Sequence, residues 1–348
     1  MSYSEQLVLM YTNYKISFLD ICNSIYKNIY QKLNDGLNYF YILGYKYGVS
    51  HDTDDDFLYM DDFDFDKKNE LANQNVMYFS YREKFIPLSN GMTNDIGWGC
   101  MIRTGQMMLY ESLKRNIKFC SKIDNMDILF HDIPASPFSI HRFTEFGEMH
   151  NIPVGSWFSP TSLIFVLKNL VKNSPANDYL KIIAPSNTIY KNKVNEELKH
   201  SECLLLTSVM AGIGNINDVY HKQIIKCLEH YTTIGIIGGK PRKSLYFIGS
   251  HDNKLIYLDP HMVKKAFVNE ETCYQDDKFV GSTEISNMDP CMILCFYLKN
   301  VKDLNNLEEF IEQQFSGEQL LFNFCEQEIQ TKVKAIDDGD WVGIISDD

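Results

Sequence analysis

The stretch NDIGWGCMIRTGQMMLYESL, residues 94–113, places two glycines and a tryptophan directly before Cys100. An apolar pattern with helical spacing starts at that cysteine and continues through residue 116. We therefore predict a helix over residues 100–116 that begins at the cysteine. The side chains that we expect to face the core are those of Met101, Met108, Leu109 and Leu113.

A cysteine at a helix N-terminus has distinctive chemistry, because unpaired backbone N–H groups and the helix dipole favour its thiolate. Gly97 and Gly99 let the backbone turn tightly, and free N–H groups at such a turn could hold an oxyanion. Trp98 would then act as a wall or a packing anchor. The same residues also fit a buried cysteine in a helix that needs a glycine turn before it. This stretch alone leaves both interpretations open.

A thiolate that acts as a nucleophile needs a base, and the base needs an orienting group. The segment IYLDPHMVK, residues 256–264, offers both. If the strand continues through it, Asp259 and His261 lie two residues apart and project to one face. A carboxylate beside an imidazole fixes its tautomer, which makes Cys100, His261 and Asp259 a candidate catalytic triad. The alternative is an ordinary turn at a strand end, since Asp-Pro commonly opens turns.

Composition excludes several classes of protein. The 348 residues carry a net charge of −13, which argues against nucleic acid as a partner because such binding needs a basic surface. We find no apolar run long enough to span a bilayer and no signal peptide. Nine scattered cysteines without a CxxC motif indicate reduced thiols and a cytoplasmic protein. We expect no metal and no cofactor.

The order of elements predicts an α+β protein with helices first and a mostly antiparallel sheet later. The N-terminal 50 residues look helical. The aspartate-rich residues 51–68 are expected to form a solvated loop, with binding to a basic surface as the alternative. Further helices are predicted within residues 136–150, 159–173 and 216–231, and strands at 203–209, 233–239, 244–250, 254–261 and 292–299. A hairpin should turn at residues 251–253, and residues 331–348 form an acidic tail.

Several ordered motifs together resemble one known family. DIGWGCMIRTGQMM (95–108) and GIIGGKPRKSLYFIG (235–249), followed by LIYLDPH (255–261), are similar to segments of the autophagins, the cysteine proteases of autophagy. YFSYREKFIPL (78–88) and GSWFSPTSLIFVLKNL (155–170) also resemble autophagin segments. The resemblance implies a papain-like cysteine protease fold with an N-terminal helical part, a central antiparallel sheet and a small accessory subdomain. It implies a protease domain over residues 1–330, with the subdomain within about 150–200, and a flexible tail at 331–348.

By matching position, the resemblance implies roles for several residues. Cys100 would be the nucleophile, His261 the base and Asp259 its orienter, and Tyr81 would lie near the oxyanion site. Trp157 would cover the substrate groove, with a mobile lid that includes Gly239, Lys240 and Pro241 packing against it.

The family's substrate would be a ubiquitin-like autophagy modifier, autophagy-related protein 8. Family members cut it after a glycine near its C-terminus and also release it from phosphatidylethanolamine, so contact with the autophagosomal membrane would be transient and through the substrate. We expect a cytoplasmic monomer.

The tail sequence DGDWVGI has an aromatic and an aliphatic residue at the spacing by which many proteins bind such modifiers. Trp341 and Ile344 would fill two pockets beside an added edge strand, although such short patterns also occur by chance. Two other functions remain open at this point: a non-catalytic adaptor that uses the tail and the acidic loop, and another thiol enzyme on this fold, such as an acyltransferase.

Overall fold

The structure is a computed structural model that describes residues 15–17, 39–50, 57–60, 75–240, 243–268 and 280–328. Its strands are β1 (Lys15–Ser17), β2 (Tyr39–Ile42), β3 (Tyr45–Ser50), β4 (Phe57–Met60), β5 (Asn75–Met77), β6 (Tyr81–Glu83), β7 (Leu180–Ile183), β8 (Thr188–Tyr190), β9 (Glu202–Met210), β10 (Thr233–Lys240), β11 (Lys243–His251), β12 (Lys254–Leu258), β13 (Val263–Lys265), β14 (Val280–Glu284), β15 (Cys291–Leu298) and β16 (Asn323–Cys325). Its helices are α1 (Cys100–Arg115), α2 (Ile117–Cys120), α3 (Ile140–Glu148), α4 (Pro160–Lys172), α5 (Lys191–Leu198), α6 (His221–Glu229) and α7 (Val301–Gln314).

A large sheet organises the described part of the chain. Its strand order is β4-β3-β2-β11-β10-β15-β9-β7, with β12 pairing with β11 and β14. All of these pairs are antiparallel except β7 with β9. The α+β class with a mostly antiparallel sheet is therefore confirmed, as is the hairpin β11–β12, in which His251 pairs with Lys254 across a two-residue turn.

The sheet is buried on both faces, because successive side chains of its central strands enter two different apolar clusters. Ile237 and Cys295 face the cluster that includes the buried residues of α1, α3 and α4. Ile236 and Leu294 face the cluster that includes those of α6 and α7. Helix α1 is thus held between the sheet and other helices, and all but three of its residues are buried. The residue at its N-terminus is fixed by packing along the whole helix.

Helices α3, α4 and α6 lie within the ranges predicted from the sequence. The Ser139 side chain accepts from the Arg142 N–H at the start of α3, and the Ser159 side chain accepts from the Ser162 N–H at the start of α4. Pro160 occupies the first turn of α4, where its missing N–H has no cost. No helix in the part of the chain that the structure describes is long and apolar enough to cross a membrane.

The N-terminal expectation is wrong for the residues that can be checked. Residues 15–17 and 39–50, expected to be helical, form strands β1, β2 and β3. Leu43 and Gly44 both have positive φ, at 50° and 85°, which is typical of a two-residue hairpin turn whose twist suits the flanking strands. Pairing of β2 with β11 then outweighs the weak helical pattern of this aromatic-rich segment.

The aspartate-rich segment is also only partly the loop that we expected. Residues 57–60 form β4, which pairs with β3 at the edge of the sheet. The sequence at these four positions is FLYM, and aromatic residues have a high propensity for strands. The other residues of 51–68 lie outside the described part of the chain. The proposed accessory subdomain within 150–200 stays a prediction.

Candidate active site

The turn before α1 is built around Asp95. The Asp95 carbonyl accepts from the N–H groups of Trp98 at 3.2 Å and Gly99 at 2.9 Å. Gly97 has φ of +83°, and a Cβ on Gly99 would clash with the Asp95 carboxylate. Glycine is therefore required at both positions, by conformation at Gly97 and by close approach at Gly99. The helix begins at Cys100 as predicted, with no side-chain cap at Gly99.

Asp259 and His261 meet, but not in the way that the sequence suggested. Strand β12 ends at Leu258, so the prediction of one continuous strand face is wrong. Asp259 Oδ1 instead accepts from the His261 backbone N–H at 2.9 Å and from Nδ1 at 2.5 Å. A turn closed by an aspartate side chain on the second residue after it explains this geometry. The Tyr78 hydroxyl donates to the Asp259 carbonyl at 2.5 Å and supports the turn from outside.

Tyr81 lies against the same imidazole. Strands β6 and β13 pair in parallel with Tyr81 opposite Val263, and the Tyr81 N–H donates to the Pro260 carbonyl at 2.8 Å. The rings of Tyr81 and His261 meet edge to face with centroids 5.4 Å apart. Burial is the largest influence that raises the pKa of Tyr81, the neighbouring Cys100 thiol adds to the rise, and the Gly97 backbone opposes it. Three separate segments thus deliver a thiol, an imidazole and a phenol to one place.

The electrostatics favour a charged thiol–imidazole pair. Burial alone would raise the pKa of Cys100, but contact with His261, the Ser244 backbone and Tyr81 outweighs burial and lowers it below its ordinary value. Burial alone would lower the pKa of His261, but Asp259 and Cys100 raise it to about 9. The pKa of Asp259 is lowered despite burial, mainly by its hydrogen bonds to His261. Burial and the nearby thiolate raise the pKa of Tyr81, which keeps its phenol protonated as a donor.

Of the two nitrogens of the His261 imidazole, Nε2 has fewer hydrogen-bond contacts than Nδ1. Nε2 of His261 is buried and makes no well-aligned hydrogen bond within the described residues, although the ring and the Cys100 thiol interact electrostatically. Such loose alignment is common before substrate binds. Asp259 holds Nδ1, so Nε2 is the nitrogen that is left to carry a proton to a leaving group.

The resemblance assigned two features to the border of the substrate groove, Trp157 and the β10–β11 hairpin. The Trp157 indole donates to the Gly97 carbonyl at 2.8 Å while 38% of the residue stays exposed, so it lies beside the turn that precedes Cys100. Gly239 and Lys240 end β10, and a Cβ on Gly239 would clash with the Lys243 carbonyl. Pro241 lies outside the described residues, and packing of this hairpin against Trp157 stays a prediction. The tail residues Trp341 and Ile344 also lie outside them.

One contributor to the site was missed in the sequence. Ser244, the second residue of β11, supplies a backbone contact that helps to lower the Cys100 pKa. Its hydroxyl lies 3.0 Å from the Thr104 hydroxyl, which itself donates to the Met101 carbonyl at 2.9 Å. These contacts join the hairpin to the first turn of α1 across 140 residues of sequence, a distance that leaves no local signal.

The reactivity of Cys100 provides a direct check on this electrostatic arrangement. We expect iodoacetamide to alkylate Cys100 of the wild type at pH values where an ordinary thiol is protonated and slow. The variant His261→Ala loses the largest of the influences that oppose burial, so its alkylation midpoint should move to higher pH than in the wild type. Peptide mapping by mass spectrometry as a function of pH measures both midpoints. Equal midpoints, or a lower one in the variant, would contradict the ion pair.

Comparisons with known proteins agree with this geometry. A family model described as the peptidase C54 catalytic domain matches residues 67–310, well over half of the chain. A probable cysteine protease ATG4 of Vanderwaltozyma polyspora is 32% identical over 277 residues, which cover 65% of this chain and 66% of that protein. Cysteine protease ATG4A of Xenopus laevis is 28% identical over 342 residues, which cover 84% of this chain and 83% of the relative.

A third relative, the probable cysteine protease atg4 of Schizosaccharomyces pombe, is 31% identical over 240 residues, 67% of this chain and 73% of its own length. The coverage of the relatives is uneven, since the match spans 48% of cysteine protease ATG4 of Saccharomyces cerevisiae. The matched residues include both segments that carry the thiol and the imidazole, and the mixed α+β fold is consistent with a papain-like protease domain. The chain therefore belongs to the peptidase C54 family of cysteine proteases.

Proposed function

We propose that this chain is a thiol endopeptidase of autophagy that cuts a ubiquitin-like modifier, autophagy-related protein 8, after a glycine near its C-terminus. The observation that carries the proposal is the meeting of Cys100, His261 and Tyr81, with Asp259 on the imidazole. Family membership supports the choice of protease chemistry, and relatives named ATG4 support the autophagy substrate.

We assign the residues of the site the following roles in one reaction cycle. The Cys100 thiolate adds to the glycyl carbonyl carbon, and the electron pair of the carbonyl moves to oxygen. The Tyr81 hydroxyl and the backbone N–H at Cys100 stabilise that oxyanion. The C–N bond then breaks while the His261 imidazolium protonates the leaving amine. His261 next takes a proton from water as its oxygen attacks the thioester, and the thiolate leaves with the glycine carboxylate as product.

Steric access supports glycine at the cut. Trp157 is fastened to the Gly97 carbonyl, immediately beside the turn that would line the oxyanion site. A strand approaching Cys100 must pass this indole, so a residue without a side chain fits best. We propose Gly239, Lys240 and Pro241 as part of the second wall of the groove. Closure of the two around the substrate would exclude water until the acyl-enzyme forms.

The same chemistry extends to the lipid-linked modifier. The bond between the modifier's glycine and phosphatidylethanolamine is an amide, so thiolate attack and protonation of the leaving amine proceed as for a peptide. This activity would bring a cytoplasmic, monomeric enzyme to the autophagosomal membrane only through its substrate. The tail residues Trp341 and Ile344, preceded by Asp337, Asp338 and Asp340, would add a second contact to the modifier.

Product identification tests the proposal. A tagged modifier precursor with a C-terminal extension should be cut once, leaving a product whose intact mass ends at the glycine. The matched substrate is the same precursor with that glycine changed to alanine, which should be cut far more slowly. A second reaction uses the modifier conjugated to phosphatidylethanolamine in vesicles and should release the same glycine-terminated product.

Two outcomes would refute the proposal. An intact precursor, at enzyme concentrations where Cys100 is demonstrably alkylatable, would exclude the substrate. An acyl group found on an added amine rather than on water would exclude hydrolysis and favour an acyltransferase. Cleavage of the precursor without release from the lipid would leave the first activity standing and remove the second.

A further inference from the structure

A buried charge network lies one helical turn from Cys100. Arg103 on α1 donates from Nε to Asp95 Oδ2 at 2.7 Å and from Nη1 to Asp132 Oδ1 at 2.8 Å. All three side chains are completely buried. Two carboxylates and one guanidinium away from water are costly, and their hydrogen bonds only partly offset that cost. A fold that keeps such a group beside its reactive thiol invites a functional explanation.

The Asp95 end of the network reaches two parts of the site. Asp95 Oδ1 accepts from the Arg82 backbone N–H at 2.5 Å, directly after Tyr81 in the chain. The Asp95 N–H donates back to the Arg82 carbonyl at 3.1 Å. The same residue's carbonyl holds the Trp98 and Gly99 N–H groups of the turn before Cys100. One residue therefore sets the spacing between the phenol and the thiol.

The Asp132 end reaches the third part. Asp132 Oδ2 accepts from the Phe267 N–H at 2.8 Å, and the Asp132 N–H donates to the Phe267 carbonyl at 2.7 Å. Phe267 closely follows β13, which pairs with β6 and continues the segment that begins at His261. The guanidinium thus connects the segments that carry Cys100, Tyr81 and His261 through two carboxylates.

We propose that Arg103 is a positioning residue for the reaction, which sets the mutual distances of the Cys100 thiol, the Tyr81 hydroxyl and the His261 imidazole through Asp95 and Asp132. This inference rests on the proposed function of that site. Arg103 touches no reacting atom, so its effect is on placement. Arginine suits the task because its planar fork can hold two carboxylates at fixed angles, whereas lysine offers one compact charge.

The test is Asp132→Asn, compared with wild type for kcat, KM, melting temperature and the pH profile of Cys100 alkylation. An amide has one accepting oxygen, so the substituted side chain could satisfy Arg103 or the Phe267 N–H but must turn its donor nitrogen toward the other. A misplacement of the order of 1 Å costs about 10²-fold in rate. We expect kcat for modifier cleavage to fall by about that factor with KM nearly unchanged, and the alkylation midpoint to move.

The matched control is Glu111→Gln on the same helix. Glu111 is also buried and holds two cations, Lys114 at 2.7 Å and Arg115 at 3.1 Å. It lies eleven residues beyond Cys100, or about 16 Å along the helix axis. An amide there makes the same kind of defect far from the site. Glu111→Gln should lower the melting temperature but leave kcat per folded molecule and the alkylation profile at wild-type values.

Each result decides between positioning and mere stability. If Asp132→Asn behaves like Glu111→Gln, with wild-type kcat per folded molecule and an unchanged alkylation profile, the proposal is overturned. Should Asp132→Asn not fold, Arg103→Lys takes its place with the same expectations, and failure of both to fold makes the network purely structural. A wild-type enzyme that does not cut the modifier refutes the proposed function instead, while the alkylation profile still tests the positioning.

Discussion

Cys100→Ala is expected to reduce cleavage of the modifier precursor below detection while the protein still binds it. Removing a nucleophile from a catalytic unit of this kind costs about 10⁶-fold in kcat, because no other group can form the acyl intermediate. The cavity left by one sulfur atom is small, so the site around Tyr81 and His261 should persist. Single-turnover assays with excess enzyme, together with a binding measurement on the same substrate, check both halves of this expectation.

The control for Cys100→Ala is Cys291→Ala, the same chemical change at the first residue of β15. Burial and Asp289 raise the pKa of Cys291, which makes it a poor nucleophile at neutral pH. That variant should cleave at the wild-type rate. Turnover by Cys100→Ala that scales with its concentration, and that survives removal of trace wild-type enzyme, would show that a different residue attacks the substrate.

The parts of the site that could be predicted from the sequence are those with a local cause. Cys100 begins a helix because glycines precede it and apolar residues follow at helical spacing, and each of these features is visible within about twenty residues. Asp259 and His261 were paired correctly from their spacing, although the geometry is a side-chain-closed turn where we expected a strand. An Asp-Pro turn was the alternative to a catalytic pair, and the structure shows that this turn is what brings the two side chains together.

The parts that were missed depend on distant partners. Arg103 is a fully buried arginine in the first turn of α1, and one of its two carboxylate partners, Asp132, comes from 29 residues away. Ser244 reaches Thr104 across 140 residues. Residues 39–50 look helical in isolation, and their pairing with β11 decides the outcome. A polar residue within a buried helical face was the available signal for Arg103, because such residues are rarely buried without a partner.

Asp259→Asn should lower kcat/KM without unfolding the turn that carries His261. The asparagine oxygen can still accept from the His261 backbone N–H, and the Tyr78 hydroxyl bonds the main-chain carbonyl, which the substitution leaves in place. The negative charge that stabilises the imidazolium is lost, however. The equivalent change in a serine-protease triad lowers kcat about 10⁴-fold. We take that factor as the upper limit here, because the Cys100 thiolate also stabilises the His261 imidazolium.

The pH profile separates this electrostatic effect from a loss of structure. Asp259 is the strongest of the influences that raise the pKa of His261 to about 9, so its neutralisation should move that pKa toward the ordinary value of 6.5. Because activity needs the imidazolium, the alkaline limb of kcat/KM should then shift to lower pH. Asp252→Asn, at the opposite end of β12 in an exposed turn with φ of 48°, removes the same charge and should leave the limb in place. An unshifted limb in Asp259→Asn would mean that Cys100 alone maintains the imidazolium and that Asp259 only orients the ring.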